Sequence, residues 1–270
     1  MTNITSNQTL IRYVGAKNRI AKHIIRIIES IPHKRYCEVF GGSASVLLHR
    51  PKPKKVLEIY NDADELISTL FTVLADRSKY SEFMERLRYP MTSKKQFDDC
   101  KEYLLKDSLQ RNEIDTAYCV YYVQSLAFAG KLFNQAFVPD ARIPSIAKRV
   151  KTLGLFAERL AEVFVTNFDW RKVIDLFDSV DTLFYFDPPY LYGTQRFKYP
   201  YYKNTLTFQD HVNLVNKLIT LKGRAILSCY DDAIYKPLLQ HGYTLQQVYS
   251  TVSVNKMDTV ESTESLYIKG

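Results

Sequence analysis

Short apolar runs that give way to helical patterns, repeated along the chain, limit the possible folds of this 270-residue sequence more than any other feature. Cys37–Phe40 stops at Gly41-Gly42 and leads into a helix over Ala44–His49. Val56–Tyr60 leads into a helix that opens at Asp62 or Ala63 and reaches about Leu74. The rhythm returns with strand Val163–Thr166, helix Trp170–Phe177, strand Thr182–Phe186 and helix Phe208–Leu221. It ends with strand Ala225–Ser228, helix Asp232–Gln240 and strands Tyr243–Tyr249 and Ser265–Lys269. Ahead of all these, Ile20, Ile24, Ile27, Ile28 and Ile31 at helical spacing predict an amphipathic helix over 16–31. Such alternation predicts an α/β fold, a mostly parallel sheet covered on both faces. Its ligands belong at the carboxyl ends of the strands, near the point where strand order reverses.

Residues 77–160 break that rhythm. They read as mostly helical, with a Tyr-rich stretch at Tyr118–Gln124 and scattered basic residues (Lys131, Arg142, Lys148, Arg149, Lys151). The expected organisation is therefore one domain built from 1–76 and 161–270, with 77–160 as an insert. Apolar residues at 46% can fill a core, and no run approaches the roughly 20 apolar residues a bilayer span needs. The polar start lacks the layout of a secretory signal, so a cytoplasmic location is expected. Cys37, Cys100, Cys119 and Cys229 stand singly, which predicts buried thiols and neither a zinc site nor a disulfide framework. No metal is expected. The net charge of +8 favours a polyanionic partner such as nucleic acid.

The most informative stretch is Phe184-Tyr185-Phe186-Asp187-Pro188-Pro189-Tyr190, an apolar strand that delivers an acid, two prolines and a ring to its carboxyl end. Prolines fix φ and lack an N–H, so the exit is stiff. An Asp oxygen and a neighbouring Pro carbonyl can hold both hydrogens of an amino group, with Tyr190 flat against the ring that bears it. The bland reading is a rigid strand-exit turn. At Glu38–Val46 a glycine turn between strand and helix lets a ligand approach the backbone, although the dinucleotide spacing is absent. In Tyr60-Asn61-Asp62-Ala63-Asp64 an acid stands about 20 residues past that turn, where ribose hydroxyls are held in nucleotide-type folds. Asp62 as a helix N-cap is the compatible alternative. After Tyr190, Tyr192–Lys203 interleaves rings with positive charge, suiting either a packed aromatic lid or base stacking with phosphate pairing.

These landmarks, in order, resemble the Dam-type (alpha class, D12) adenine-N6 DNA methyltransferases. The resemblance rests on Arg12–Lys17, Phe40-Gly41-Gly42, Asn61-Asp62 and Asp187–Tyr190. Supporting pieces are Asn167–Trp170, His211, Leu227–Tyr230 and Glu264–Tyr267. It implies a Rossmann-like methyltransferase fold with a seven-stranded sheet and a helical target-recognition insert. It also implies S-adenosyl-L-methionine as methyl donor and double-stranded DNA as partner, and it leaves the oligomeric state open, a monomer on DNA being one option. Carried over residue by residue, Tyr13 and Lys17 would lie at the donor and target pocket. Phe40, Gly41, Gly42 and Ser43 would line the methionine part of the donor. Asp62 would hold its ribose, with Asn61 or Asp64 sharing the task, and Phe168 and Asp169 would meet its adenine. Asp187 and Pro188 would hold the target amino group beside Pro189, with Tyr190 stacked on a flipped base. Lys131, Asn134, Arg142, Arg196 and Lys198 would contact DNA.

The insert residues Gln124–Asn134 do not show the pattern of GATC-modifying relatives, so the resemblance does not extend to a recognition sequence. Other readings left open are methylation of RNA adenine or of DNA cytosine N4, and a catalytically silent DNA-binding subunit. Asp rather than Ser before the double proline favours adenine.

Overall fold

A computed structural model describes residues 4–5, 8–13, 15–89, 91–127, 137, 145–191, 205–253 and 259–270, with backbone only for 250–253 and 259–262. Seven strands form one sheet in the order β3-β2-β1-β4-β5-β7-β6. They are β1 (Arg35–Glu38), β2 (Leu57–Asn61), β3 (Phe164–Thr166), β4 (Thr182–Phe186), β5 (Arg224–Cys229), β6 (Thr244–Ser253) and β7 (Thr259–Lys269). β1 to β5 pair in parallel, and β7 inserts antiparallel between β5 and β6. This is the mostly parallel sheet of the expectation, and its architecture is that of a methyltransferase fold.

Alternation along the inner strands divides the interior in two. Tyr36, Tyr60, Leu183, Tyr185 and Ile226 face one core, while Cys37, Ile59, Phe184, Phe186, Ala225 and Leu227 face the other. Neighbouring side chains in a strand point to opposite faces, so strands buried on both sides read as continuous apolar runs. The first core takes the helices α1 (Ala21–Ser30), α2 (Ser45–His49) and α3 (Glu65–Ala75). It continues into α4 (Arg77–Arg86), α5 (Lys94–Leu104), α6 (Glu113–Leu126), α7 (Ile146–Val150) and α8 (Leu153–Leu160), the α-helices of the described part of 77–160. α6 is buried along nearly its whole length and packs on α3 and α5, so the helical segment and the sheet share one apolar interior. The second core takes α9 (Trp170–Phe177), α10 (Phe208–Ile219) and a 3-10 helix at Ala233–His241. No helix among the described residues is long and apolar enough to cross a membrane. All four cysteines are buried thiols.

Several boundaries differ from the sequence expectation. The first helix starts at Ala21 rather than 16, because the Lys17 N–H goes to Ser45 Oγ (2.9 Å) and its side chain reaches across to the β4 exit. α3 opens at Glu65, capped by Asp64 through the Leu66 N–H (3.0 Å), and not by Asp62. The segment read as a helix over 232–240 is a 3-10 helix containing Pro237, whose missing N–H removes an α-helical bond. β6 and β7 run longer than expected because they pair with each other as far as Ser253 and Thr259.

A buried ion network ties α2, β2 and α8 together. Arg159 grips both Glu58 oxygens (2.6 and 2.7 Å) and donates to the carbonyls of Leu47 (2.8 Å) and Arg50 (3.1 Å). Removing one partner of such a pair leaves a buried charge uncompensated. Arg159→Ala is therefore expected to lower stability by about 3–5 kcal/mol in denaturant unfolding. A loss near zero would show that Arg50, 3.6 Å from Glu58, or solvent compensates the carboxylate instead.

Candidate active site

β1 and β4 are neighbours, yet the chain leaves β1 towards β2 on one side and β4 towards β5 on the other. Strand order reverses between them, and there the two exit loops diverge to leave a crevice. The register pairs Glu38 with Tyr185, so Phe40-Gly41-Gly42 and Asp187–Tyr190 leave the sheet level with each other. A pocket of about 600 Å³ opens at this point, within the size range of small-molecule sites. It is lined by Tyr13, Lys17, Phe40, Gly41, Gly42, Ser43, Asn61, Asp62, Phe168, Asp169 and Asp187–Tyr190. The structure thus gathers every donor-pocket and target-amino residue named from the sequence. Lys131, Asn134, Arg142, Arg196 and Lys198 lie outside the described residues.

The glycine turn is set by the rings around it. A Cβ on Gly41 would come within 2.1 Å of the Tyr60 ring, which is fully buried and stacked on Phe71 at 4.1 Å. Gly42 has φ +50, and a Cβ there would meet the Tyr13 ring at 2.9 Å. The Tyr60 hydroxyl donates to the Gly42 carbonyl (2.7 Å). Asp62 accepts the Gly42 N–H (2.7 Å) on one oxygen and the Asp64 N–H (2.7 Å) on the other. Burial pushes Asp62 up to about 7 against those two hydrogen bonds. Asn61 donates to the carbonyls of Val39 (2.9 Å) and Phe168 (3.0 Å) and accepts from the Phe168 N–H (2.9 Å) and the Thr166 hydroxyl (2.8 Å). Its amide thereby pins together the exits of β1, β2 and β3.

At the β4 exit, Lys17 lies across the acid. Its ammonium donates to Asp187 Oδ1 (2.6 Å), to the Tyr190 hydroxyl (2.7 Å) and to the Gly15 carbonyl (3.2 Å). Burial alone would push Lys17 down, but Asp187 and Glu264 outweigh it and hold the lysine above its ordinary value. Burial pushes Asp187 up to about 6 despite the pull of Lys17. The Tyr190 ring lies 4.2 Å from that of Tyr230. Behind the prolines, buried His211 accepts from or donates to Tyr235 (2.7 Å) and interacts with the Pro189 backbone. Burial lowers its pKa, so it stays neutral and props the stiff loop from below.

Asp169 caps α9 through the Arg171 N–H (2.8 Å), and the Arg171 guanidinium bridges Asp169 to Asp210 of α10 at the outer rim. Asp210, Glu38 and Tyr185 also line the pocket; Glu38 and Tyr185 stand in stretches the sequence points to, but none of the three carries a role there. Burial pushes Glu38 up to about 8. Glu264 and Ser228 were visible only as flanking pieces of motifs; their link to Tyr190 and Lys17 depends on β7 lying beside β5, a pairing of distant segments.

Residues 13–257 match the family model of the D12 class N6 adenine-specific DNA methyltransferases. No curated protein matches the chain.

The turn geometry predicts the effect of a single methyl group. Gly41→Ala forces that methyl into a ring that cannot retreat, and overpacking of this kind costs about 1–3 kcal/mol. The change should appear as a lower denaturant midpoint without ligand; an unchanged midpoint would mean that Tyr60 yields.

Proposed function

The chain belongs to the D12 class N6 adenine-specific DNA methyltransferase family, and from that premise we propose that it uses S-adenosyl-L-methionine to methylate N6 of an adenine extruded from double-stranded DNA. Membership makes it an enzyme of adenine-specific DNA methylation, which separates it from the RNA, cytosine-N4 and silent-subunit readings. The observation that carries the finer reading is the nitrogen on Asp187. The Lys17 ammonium already donates an N–H to its carboxylate at 2.6 Å beside the Tyr190 hydroxyl, so the carboxylate is placed to accept the N–H groups that an adenine N6 presents.

The pocket fits the donor on three counts. Two glycines without side chains leave room where a Cβ would clash. The Tyr185 hydroxyl and Trp170 Nε1, both buried and lining the pocket, have no hydrogen-bond partner among the described residues; groups of this kind are completed by a polar ligand or water. Among the described residues, Asp62, Asp64, Asp169, Asp187 and Asp210 line it against two cations (Lys17 and Arg171), in a chain of net charge +8, while Glu38 is pushed up to about 8. That contrast suits a cationic donor inside and a polyanion outside.

Phe40, Gly41, Gly42 and Ser43 would hold the methionine part of the donor. Asp62, whose carboxylate keeps lone pairs beyond the two N–H groups it accepts, would take the ribose, and Phe168 and Asp169 the adenine. When bound, S-adenosylmethionine supplies an electrophilic methyl group on a positively charged sulfur. Asp187 and the Pro188 carbonyl orient the target nitrogen and draw on both its hydrogens, which favours a localised lone pair. Asp187 also receives the proton that the alkylated nitrogen sheds. Tyr190 packs on the base, helping to offset an extrusion cost of a few kcal/mol. The segment 77–160 would carry target recognition, with Lys131, Asn134 and Arg142 contacting DNA, and Arg196 and Lys198 would meet the DNA backbone.

Two outcomes are expected. In DNA-free protein, Gly42→Val should weaken S-adenosylhomocysteine binding at least tenfold by calorimetry, because its side chain meets Tyr13 and its φ is strained; equal affinity would place the donor elsewhere. Asp187 must be ionised to take up the proton that the alkylated nitrogen sheds, so kcat/KM should fall as pH drops through about 6. A profile flat down to pH 5 would remove Asp187 from that role.

A further inference from the structure

Glu264 is the second carboxylate of the site. It lies on β7, buried, opposite Val248 of β6, and one residue before Ser265, which pairs with Cys229 of β5. Its Oε1 accepts the Ser228 hydroxyl (2.6 Å), and its two oxygens share the Tyr190 hydroxyl (3.1 and 3.3 Å). The Lys17 ammonium stands 3.7 Å away, against 2.6 Å from Asp187.

This geometry poses a problem for the reaction. Lys17 occupies Asp187 Oδ1 beside the Tyr190 hydroxyl, and an amino group coming to that oxygen has to displace it. Its side chain is only 6% exposed, and a buried ammonium stripped of its counter-ion is strongly disfavoured. A shift of about 1 Å would bring it from Asp187 onto Glu264, given the two distances above and ordinary hydrogen-bond lengths. Ser228 fixes the receiving carboxylate, and Tyr190 stays bonded to it throughout.

We propose that Glu264 is a positioning residue that receives the Lys17 ammonium as the target amino group arrives, so that Asp187 is released to the substrate while Lys17 remains charged and paired. The inference rests on the adenine-N6 reading of the site. Lys17 acts as a placeholder in the resting enzyme, and the exchange keeps two carboxylates around one lysine. The net negative charge favours the reaction, since positive charge builds on the amino nitrogen as the methyl arrives. Among the described residues, the charged and titratable groups that face Glu264 are Lys17 from the N-terminal segment, Asp187, Tyr185 and Tyr190 from β4 and its exit, and Cys229 from β5.

The test compares wild type, E264Q and E264D for transfer of labelled methyl to adenine of unmethylated genomic DNA, alongside S-adenosylhomocysteine affinity and melting. Wild-type labelling of adenine establishes the underlying reading first; absence of label sinks that reading and not the hand-off. Given a working wild type, E264Q is expected to lower kcat at least tenfold with ligand affinity within twofold, and E264D to recover part of the loss. Because the Glu264 charge helps to raise Asp187, the acid limb of kcat/KM should move to lower pH in E264Q. A carboxylate NMR titration of Asp187 in DNA-free protein should move the same way, independently of turnover. Should E264Q fail to fold, S228A frees the same carboxylate and should give a smaller drop in kcat. An unchanged kcat, or a drop that tracks melting with Asp187 titrating as in wild type, overturns the proposal.

Discussion

One buried ammonium holds the active site together. Lys17 bonds to Asp187 and Tyr190 at the end of β4 and lies beside Glu264 of β7, while its own backbone is tied to α2 through Ser45. Segments far apart in sequence thus meet at one charge. Its two carboxylate neighbours keep Lys17 protonated in a place where burial would otherwise neutralise it. Breaking a buried pair of this kind costs about 3–5 kcal/mol, so the resting arrangement is well defined.

The sheet makes this meeting possible. Because β1 and β4 are adjacent and in register at Glu38 and Tyr185, the glycine turn and the Asp-Pro-Pro-Tyr exit face one crevice. Stiffness then comes from different sources on the two sides. The glycine turn is fixed by Tyr60, Tyr13 and Asp62. The proline exit is fixed by its own covalent geometry, with His211 and Tyr235 beneath it. The interior of the crevice is acidic although the chain as a whole is basic. That division suits the proposed function, with a cationic donor inside the crevice and anionic DNA outside it.

Much of this was legible in the sequence, because strand-exit motifs are local. A strand that ends in Asp187-Pro188-Pro189-Tyr190 and another that ends in Gly41-Gly42 announce their own geometry, and a parallel sheet brings such ends to one side. What escaped depends on pairing at a distance. Glu264 joins the site only because β7 runs antiparallel between β5 and β6, and its one-residue offset from Ser265 gives no local sign of its partners. Asp62 was read as a possible helix cap, but Asp64 caps α3, and the Asp62 carboxylate is turned back onto the glycine turn. The isoleucine spacing likewise suggested a helix from 16, yet Lys17 is claimed by the active site, and the helix begins only at Ala21. In each case a tertiary contact outweighed the local preference.

The central claim is the chemistry at Asp187, and the most direct measurement is nucleoside analysis of unmethylated genomic DNA after incubation with labelled S-adenosylmethionine and either wild type or Asp187→Ala. The account predicts label in N6-methyladenine for wild type and at least a hundredfold less for the variant, with donor affinity retained. Label in another base, or equal label from the variant, would contradict it.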